Sequence, residues 1–153
     1  VTLATSAGDV TIFALHLKSR LPEHADDPTS AIRRAGEAVA IRDRILKRFP
    51  EPATARFVIL GDCNDHRASR PLAALQKRGK TDIAVLLRAT DSRGDVWSYT
   101  YRKEESYSRV DHILVSPALK AAVDGGSGKI YDGPGVREAS DHRPVWVRLK
   151  WGE

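Results

Sequence analysis

Phe57-Val58-Ile59-Leu60-Gly61-Asp62-Cys63-Asn64-Asp65 is the stretch that decides the fold. Its four apolar residues are bounded upstream by Pro50 and Pro52 and downstream by Gly61. A run that short fits a strand buried on both faces better than a helix. The strand delivers Asp62 to its C-terminal end, where α/β folds place ligands and catalytic groups.

Working upstream, residues 30–49 predict an amphipathic helix capped by Thr29 or Ser30. Ile32, Ala35, Val39, Leu46 and Phe49 form its inward stripe, with Arg33, Arg34, Glu37, Asp43, Arg44 and Lys47 outward. Val1 to Thr5 and Val10 to Leu17 read as a β-hairpin turned by Ala7-Gly8-Asp9, the second strand ending at His16-Leu17-Lys18. Downstream, Pro71 to Arg78 predicts a second helix ended by Gly79, and Thr81 to Leu87 is ambiguous. Trp97, Tyr99 and Tyr101 alternate with Ser98 and Thr100 as a strand. Val110 to Ser116 is another strand, Gly125 to Gly128 a loop, and Pro144 to Trp151 a terminal strand with Val145, Val147, Leu149 and Trp151 on one face. Residues 1–153 read as one α/β unit without repeats or a linker.

Composition narrows the partners. Lys plus Arg number 25 against 20 Asp plus Glu, a net charge of +5 and a pI near 9.6, which favours anionic ligands. Cys63 is the only cysteine, so an intramolecular disulfide is excluded and a cysteine-based zinc cluster is not expected. No apolar run approaches the roughly 18 residues of a membrane span. Residues 1–15 lack the basic-then-apolar pattern of a signal peptide, and localisation stays open. Val1 already lies inside a strand, as though an earlier portion were missing.

Polar clusters follow or interrupt the apolar strands at His16-Leu17-Lys18, Gly61-Asp62-Cys63-Asn64-Asp65, Arg109-Val110-Asp111-His112 and Ser140-Asp141-His142-Arg143. Together they hold carboxylates for a hard divalent cation, imidazoles for proton transfer, and an amide and cations for a phosphate. Hydrolysis of a phosphoester needs that set. His24 and His66 read as loop residues, His112 as a packing residue, and Cys63 as a small buried hydrophobe. The aromatic trio Trp97, Tyr99 and Tyr101 is assigned to packing over base stacking.

In order, Phe13 to Arg20, Ile59 to Asp65, Ser108 to Ser116 and Ala139 to Val145 resemble the successive motifs of the endonuclease/exonuclease/phosphatase superfamily. That resemblance implies half of a four-layer α/β sandwich: a mixed, mainly antiparallel sheet with helices on one face. It implies that His16 hydrogen-bonds the scissile phosphate, with Lys18, Arg20 and Arg143 as further phosphate contacts. Asp62 is the implied carboxylate for the attacking water and Asn64 the amide holding that water or the transition-state oxygens. Asp111 would orient His142 for proton transfer, and Asp141 together with Asp62 would serve a metal, Mg²⁺ with Mn²⁺ or Ca²⁺ as alternatives. An Asn two residues after Asp62 would keep its amide on the same side by strand alternation.

Complete members of that superfamily are about twice this length and carry an early Asn and a metal-binding Glu that have no counterpart here. The expected sheet therefore leaves an apolar face to be covered by a missing N-terminal half or by a homo-oligomer partner. The resemblance implies metal-dependent phosphodiester hydrolysis, with nucleic acid the leading substrate. Alternatives are a phosphatase, a phospholipid phosphodiesterase, or an inactive half that binds nucleic acid or a partner chain.

Overall fold

In the computed structural model, which describes residues 1–151, Phe57–Asp62 is the middle strand of a five-stranded sheet. In chain order the first elements are β1 (Thr2–Leu3), β2 (Val10–His16), α1 (Ala31–Arg48), β3 (Phe57–Asp62) and α2 (Arg70–Gln76). The short strands β4 (Lys77–Arg78), β5 (Thr81–Asp82), β6 (Val85–Leu86) and β7 (Ala89–Thr90) follow. The last third holds β8 (Tyr99–Tyr101), β9 (Ser106–Ser108), β10 (Asp111–Val115), β11 (Gly128–Ile130), α3 (Val136–Ala139) and β12 (Val145–Trp146).

The main sheet runs β1-β2-β3-β10-β6, with β2 and β3 parallel and the other pairs antiparallel. A smaller sheet runs β12-β11-β7, and β4-β5 and β8-β9 are hairpins. This is the mixed, mainly antiparallel α/β architecture expected. The β2–β3 crossover is α1, which packs with α2 on one face.

Strand alternation divides the main sheet. Phe57 and Ile59 point to the helices with Leu17, Ala38, Ile45, Leu72 and Leu75. Phe57 packs edge-on against Phe13 at 6.0 Å and stacks on Phe49 at 5.5 Å, contacts that favour folding beyond simple burial. Val58 faces the other way, into a cluster with Val10, Ile113, Val115, Leu119 and Val123. Both faces of β3 are thus covered at its start. The opposite face was expected to lack cover, yet Val145, Val147, Leu149 and Trp151 of this chain pack on that second cluster. On that face Ile12 and Leu60 remain half-buried, and Ala14 is exposed.

Three sequence expectations need correction. The inward stripe of α1 is Arg34, Ala38 and Ile45 with Ile41 partly buried, whereas Ile32 and Val39 are exposed. At 3.6 residues per turn positions 34, 38, 41 and 45 align and 32 and 39 lie opposite; the charge of Arg34 disguised the phase. Second, α2 stops at Gln76, because Lys77-Arg78 turns at Gly79 to pair with Thr81-Asp82. Third, the C-terminal run is strand only over Val145–Trp146, although its inward alternation persists to Trp151.

The start of α1 also differs. Ser30 sits at the cap position at φ 51°, but its hydroxyl donates to the Leu21 carbonyl at 2.7 Å. Asp27 caps instead, accepting the Arg33 N–H at 3.0 Å. Burial would raise the Asp27 pKa, but the N–H groups of Arg33, Ile32 and Ala31 outweigh it and hold the carboxyl below its usual range.

Candidate active site

Strand register assembles the site. Asp62 on β3 lies opposite Asp111 on β10 and beside His16 on β2. Directly paired residues share a face, so the two carboxylates project together on the face away from the helices. Gly61 permits the approach of β2 and β3: its φ is 136°, and a Cβ there would lie 1.9 Å from the Leu15 carbonyl oxygen. No other residue fits that position.

His142 reaches this pair from the last loop. Its Nδ1 lies 2.9 Å from Asp111 Oδ2. A carboxylate accepts, so Nδ1 carries the proton and Nε2 is left as the basic nitrogen. The loop is fixed by backbone bonds to the edge of β8: Thr100 N–H donates to the Asp141 carbonyl at 2.9 Å and Arg143 N–H to the Ser98 carbonyl at 2.7 Å. The Tyr99 ring packs on the imidazole at a centroid distance of 4.7 Å.

His16, three-quarters exposed, brings Nε2 to 3.6 Å from Asp62 Oδ2. Asp62 Oδ1 accepts the Asn64 N–H at 2.7 Å, an Asx turn that holds Asn64 at φ 49°. Asn64 has therefore left the strand, and the turn, not period-two alternation, keeps it beside Asp62. Its amide donates to the Leu17 carbonyl at 2.8 Å. Burial, and to a lesser degree the Asp111 charge, raises the Asp62 pKa against the opposing Asn64 N–H bond.

Asp62, Asp111 and His142 offer ligand atoms that all lie within 4.8 Å of one another. Two carboxylates side by side, one of them with a raised pKa, fit a hard divalent cation that keeps part of its water shell. Asp141, expected at a metal, is not in that trio and is exposed.

The expected phosphate contacts divide. Arg20 is half exposed beside the site, donating through Nε to the Asn64 carbonyl at 3.1 Å. Lys18 turns away: its Nζ donates to the Leu21 carbonyl at 2.9 Å and to Ser19 Oγ at 3.1 Å. Arg143 is 4% exposed, bonded to Asp91 Oδ2 at 2.6 Å and stacked over Trp97 at 3.9 Å. Burial would raise the Asp91 pKa, but the Arg143 bond and the Arg93 and Asp95 N–H groups hold it down at about 2. Arg143 is thus a structural anchor, not a free phosphate donor.

Other residues support the site without a sequence signature. Ser98 Oγ accepts the N–H groups of Val110 and Asp111 at 3.2 and 3.1 Å, fixing the start of β10. Ser140 Oγ accepts the His142 N–H at 3.0 Å. Arg109 Nε donates to the Asp111 carbonyl at 2.5 Å. His112 is buried, with Nε2 bonded to the Asp65 carbonyl at 2.9 Å; burial, aided by the Arg109 charge, pushes its pKa down to about 4 despite that bond. Cys63 is inert, its thiol pushed up to about 12 by burial and by the carboxylates of Asp62, Asp111 and Asp65.

Comparison with known proteins agrees with this fold. The chain resembles a beta toxin of Staphylococcus aureus at 14% identity and a TM-score of 0.69, over 97% of this chain and 55% of that one. A mannosyl-6-phosphatase of Bacteroides thetaiotaomicron is 21% identical, with a TM-score of 0.60 over 94% and 52%. A 3'-5' exonuclease of Neisseria meningitidis is 18% identical, with a TM-score of 0.56 over 98% and 64%. At these identities the likeness is one of fold, and the chain spans between about half and two-thirds of each structure. A search of curated proteins finds no match. The Endonuclease/Exonuclease/phosphatase family profile matches residues 5–142, from before β2 through His142. Since that match covers most of the chain, the chain belongs to the endonuclease/exonuclease/phosphatase family.

Proposed function

We propose that this face hydrolyses phosphoesters with a divalent cation, Mg²⁺ in the first instance, and that its substrate is a nucleic-acid phosphodiester. The 2.9 Å Asp111–His142 pair beside Asp62 carries the reading. With Nδ1–H held by Asp111, the His142 Nε2 lone pair is free to take a proton from an attacking water, and the carboxylate stabilises the imidazolium that results. Asp62 orients that water by accepting a hydrogen bond from it. His16, exposed at the same edge, donates to a phosphoryl oxygen, and Arg20 adds a charge-assisted bond. A divalent cation held by Asp62 and Asp111 oxygens would supply Lewis-acid stabilisation of the phosphoryl charge.

The net charge of +5 favours a polyanion. The half-buried Ile12 and Leu60 and exposed Ala14 lie on the site's face of the sheet. A covering partner, whether further sequence of a longer protein or a second copy, would dry the site from that side.

The test is cleavage of supercoiled plasmid in Mg²⁺, in chelator, and by Asp62→Ala and His142→Ala. Nicking that needs the cation and falls about 10²–10⁴-fold in the His142 variant is expected. Unchanged nicking by folded His142→Ala would refute the assignment. Turnover of a phosphomonoester or a phospholipid, with the plasmid left intact, would move the substrate and keep the chemistry.

A further inference from the structure

We propose that Arg34 and Asp65 are a positioning pair that sets the loop leaving β3 after Asp62, which bears Asn64, against the end of β2. The inference rests on reading that face as a phosphoester-hydrolysing site.

Arg34 lies inside the molecule at 3% exposure, at a helix position that the sequence pattern turns outward. Its Nε donates to Asp65 Oδ2 at 3.0 Å. Its Nη1 lies within 3.0 to 3.4 Å of the carbonyl oxygens of Lys18, Ser19, Thr29 and Ser30. One guanidinium therefore joins three segments: the chain leaving β2 just after His16, the start of α1, and the loop leaving β3 just after Asn64. The planar fork of arginine meets a carboxylate and several carbonyls at once, which the single ammonium of lysine cannot.

Asp65 extends the linkage. Its Oδ1 accepts the His66 N–H at 2.9 Å, and its carbonyl accepts Nε2–H of His112, the neighbour of Asp111, at 2.9 Å. The strands carrying His16, Asp62 and Asp111 are tied beneath the site by this one pair.

The consequence falls on Asn64. Its amide is aimed by a bond to the Leu17 carbonyl, and Leu17 precedes the Lys18 carbonyl that Arg34 holds. An ion pair taken largely out of water contributes little stability relative to a well-packed apolar replacement, so stability gives this one no strong reason to be here. Geometry does, since a displacement of about 1 Å at a reacting group costs on the order of 10²-fold in rate.

The experiment compares Arg34→Lys and the nearly isosteric Asp65→Asn with Ile45→Val, a packing change on the same helix. Each 153-residue variant is assayed for phosphodiester hydrolysis and examined by ¹⁵N NMR at the Asn64 side-chain amide. In the two pair variants kcat should fall roughly 10–100-fold with KM within about twofold, and the Asn64 amide signals should move and exchange faster. Ile45→Val should change neither. Asn64 signals unmoved in folded Asp65→Asn, or a kcat no lower than that of Ile45→Val, would overturn the proposal. If the wild-type chain hydrolyses nothing, the reading of the site fails. The Asn64 signals still decide the positioning claim, moved in its favour and unmoved against it.

Discussion

Buried, neutral His112 predicts a stability profile that acid should expose. Its folded pKa is pushed down to about 4 from an ordinary 6.5. The unfolded chain therefore binds the proton first, and stability must fall with pH. The contribution is fully present above about 6.5 and is lost progressively down to about 4. Linkage puts the loss at about 2 kcal/mol by pH 5 and on the order of 3 kcal/mol by pH 4, relative to neutral pH. Asp62 acts in the opposite sense, because its raised pKa favours protonation of the folded state. The two are separated by His112→Gln, which keeps a donor for the Asp65 carbonyl but does not titrate. Urea unfolding in chelator at pH 7 and pH 5 gives the difference between wild type and variant. The wild type should lose about 2 kcal/mol more than the variant over that interval. An equal loss in both would mean that His112 takes up its proton in the folded state, and the burial argument would fail.

Gly61→Ala should abolish soluble expression or lower the melting temperature by more than about 10 °C, since its Cβ would meet the Leu15 carbonyl at 1.9 Å. A stable variant would mean that β2 and β3 can separate without cost. Arg143→Met should lower the melting temperature by about 10 °C, because it strands Asp91 inside the protein. If KM for a phosphodiester rises with no thermal change, Arg143 is a phosphate contact after all. Asp111→Asn should reduce kcat by about 10²–10⁴-fold and shift the acidic limb of the pH–rate profile, as an amide that can donate replaces the carboxylate that can only accept and so fixes the imidazole tautomer. A profile identical to wild type would disconnect Asp111 from His142.

The apolar pattern made the sheet legible. Four consecutive hydrophobic residues before Gly61 fit a strand with two covered faces better than a helix, and both faces are covered in the structure by separate clusters. Strand ends then located Asp62 and Asp111, because period-two geometry is rigid enough to carry a residue's face through a register. What failed was wherever charge was read as exposure. Arg34 and Arg143 are each about 96–97% buried, and each pairs with an aspartate distant in sequence. Neither pairing has a local pattern, since Asp65 is 31 residues from Arg34 and Asp91 is 52 from Arg143. The exit from β3 departs from strand alternation for a related reason: Asn64 obeys the Asx turn made by the Asp62 carboxylate, which competes with strand geometry.

Those misread arginines share a position relative to the chemistry. His142 and Asp62 lie on the face away from the helices, yet the loop that holds the one and the loop that follows the other each reach an ion pair with a buried arginine. Arg143, beside His142 in sequence, locks to Asp91 at 2.6 Å; Asp65, three residues past Asp62, locks to Arg34 at 3.0 Å. A loop end carries few backbone ladder bonds, so its rigidity has to come from side chains. Charge-assisted bonds are directional where apolar packing is not, and they can fix a loop to a fraction of an ångström where a leucine could only bury it. The two buried arginines are therefore best understood as the means by which an apolar sheet fixes the loops beside its polar groups, and the desolvation they incur is the cost of that precision.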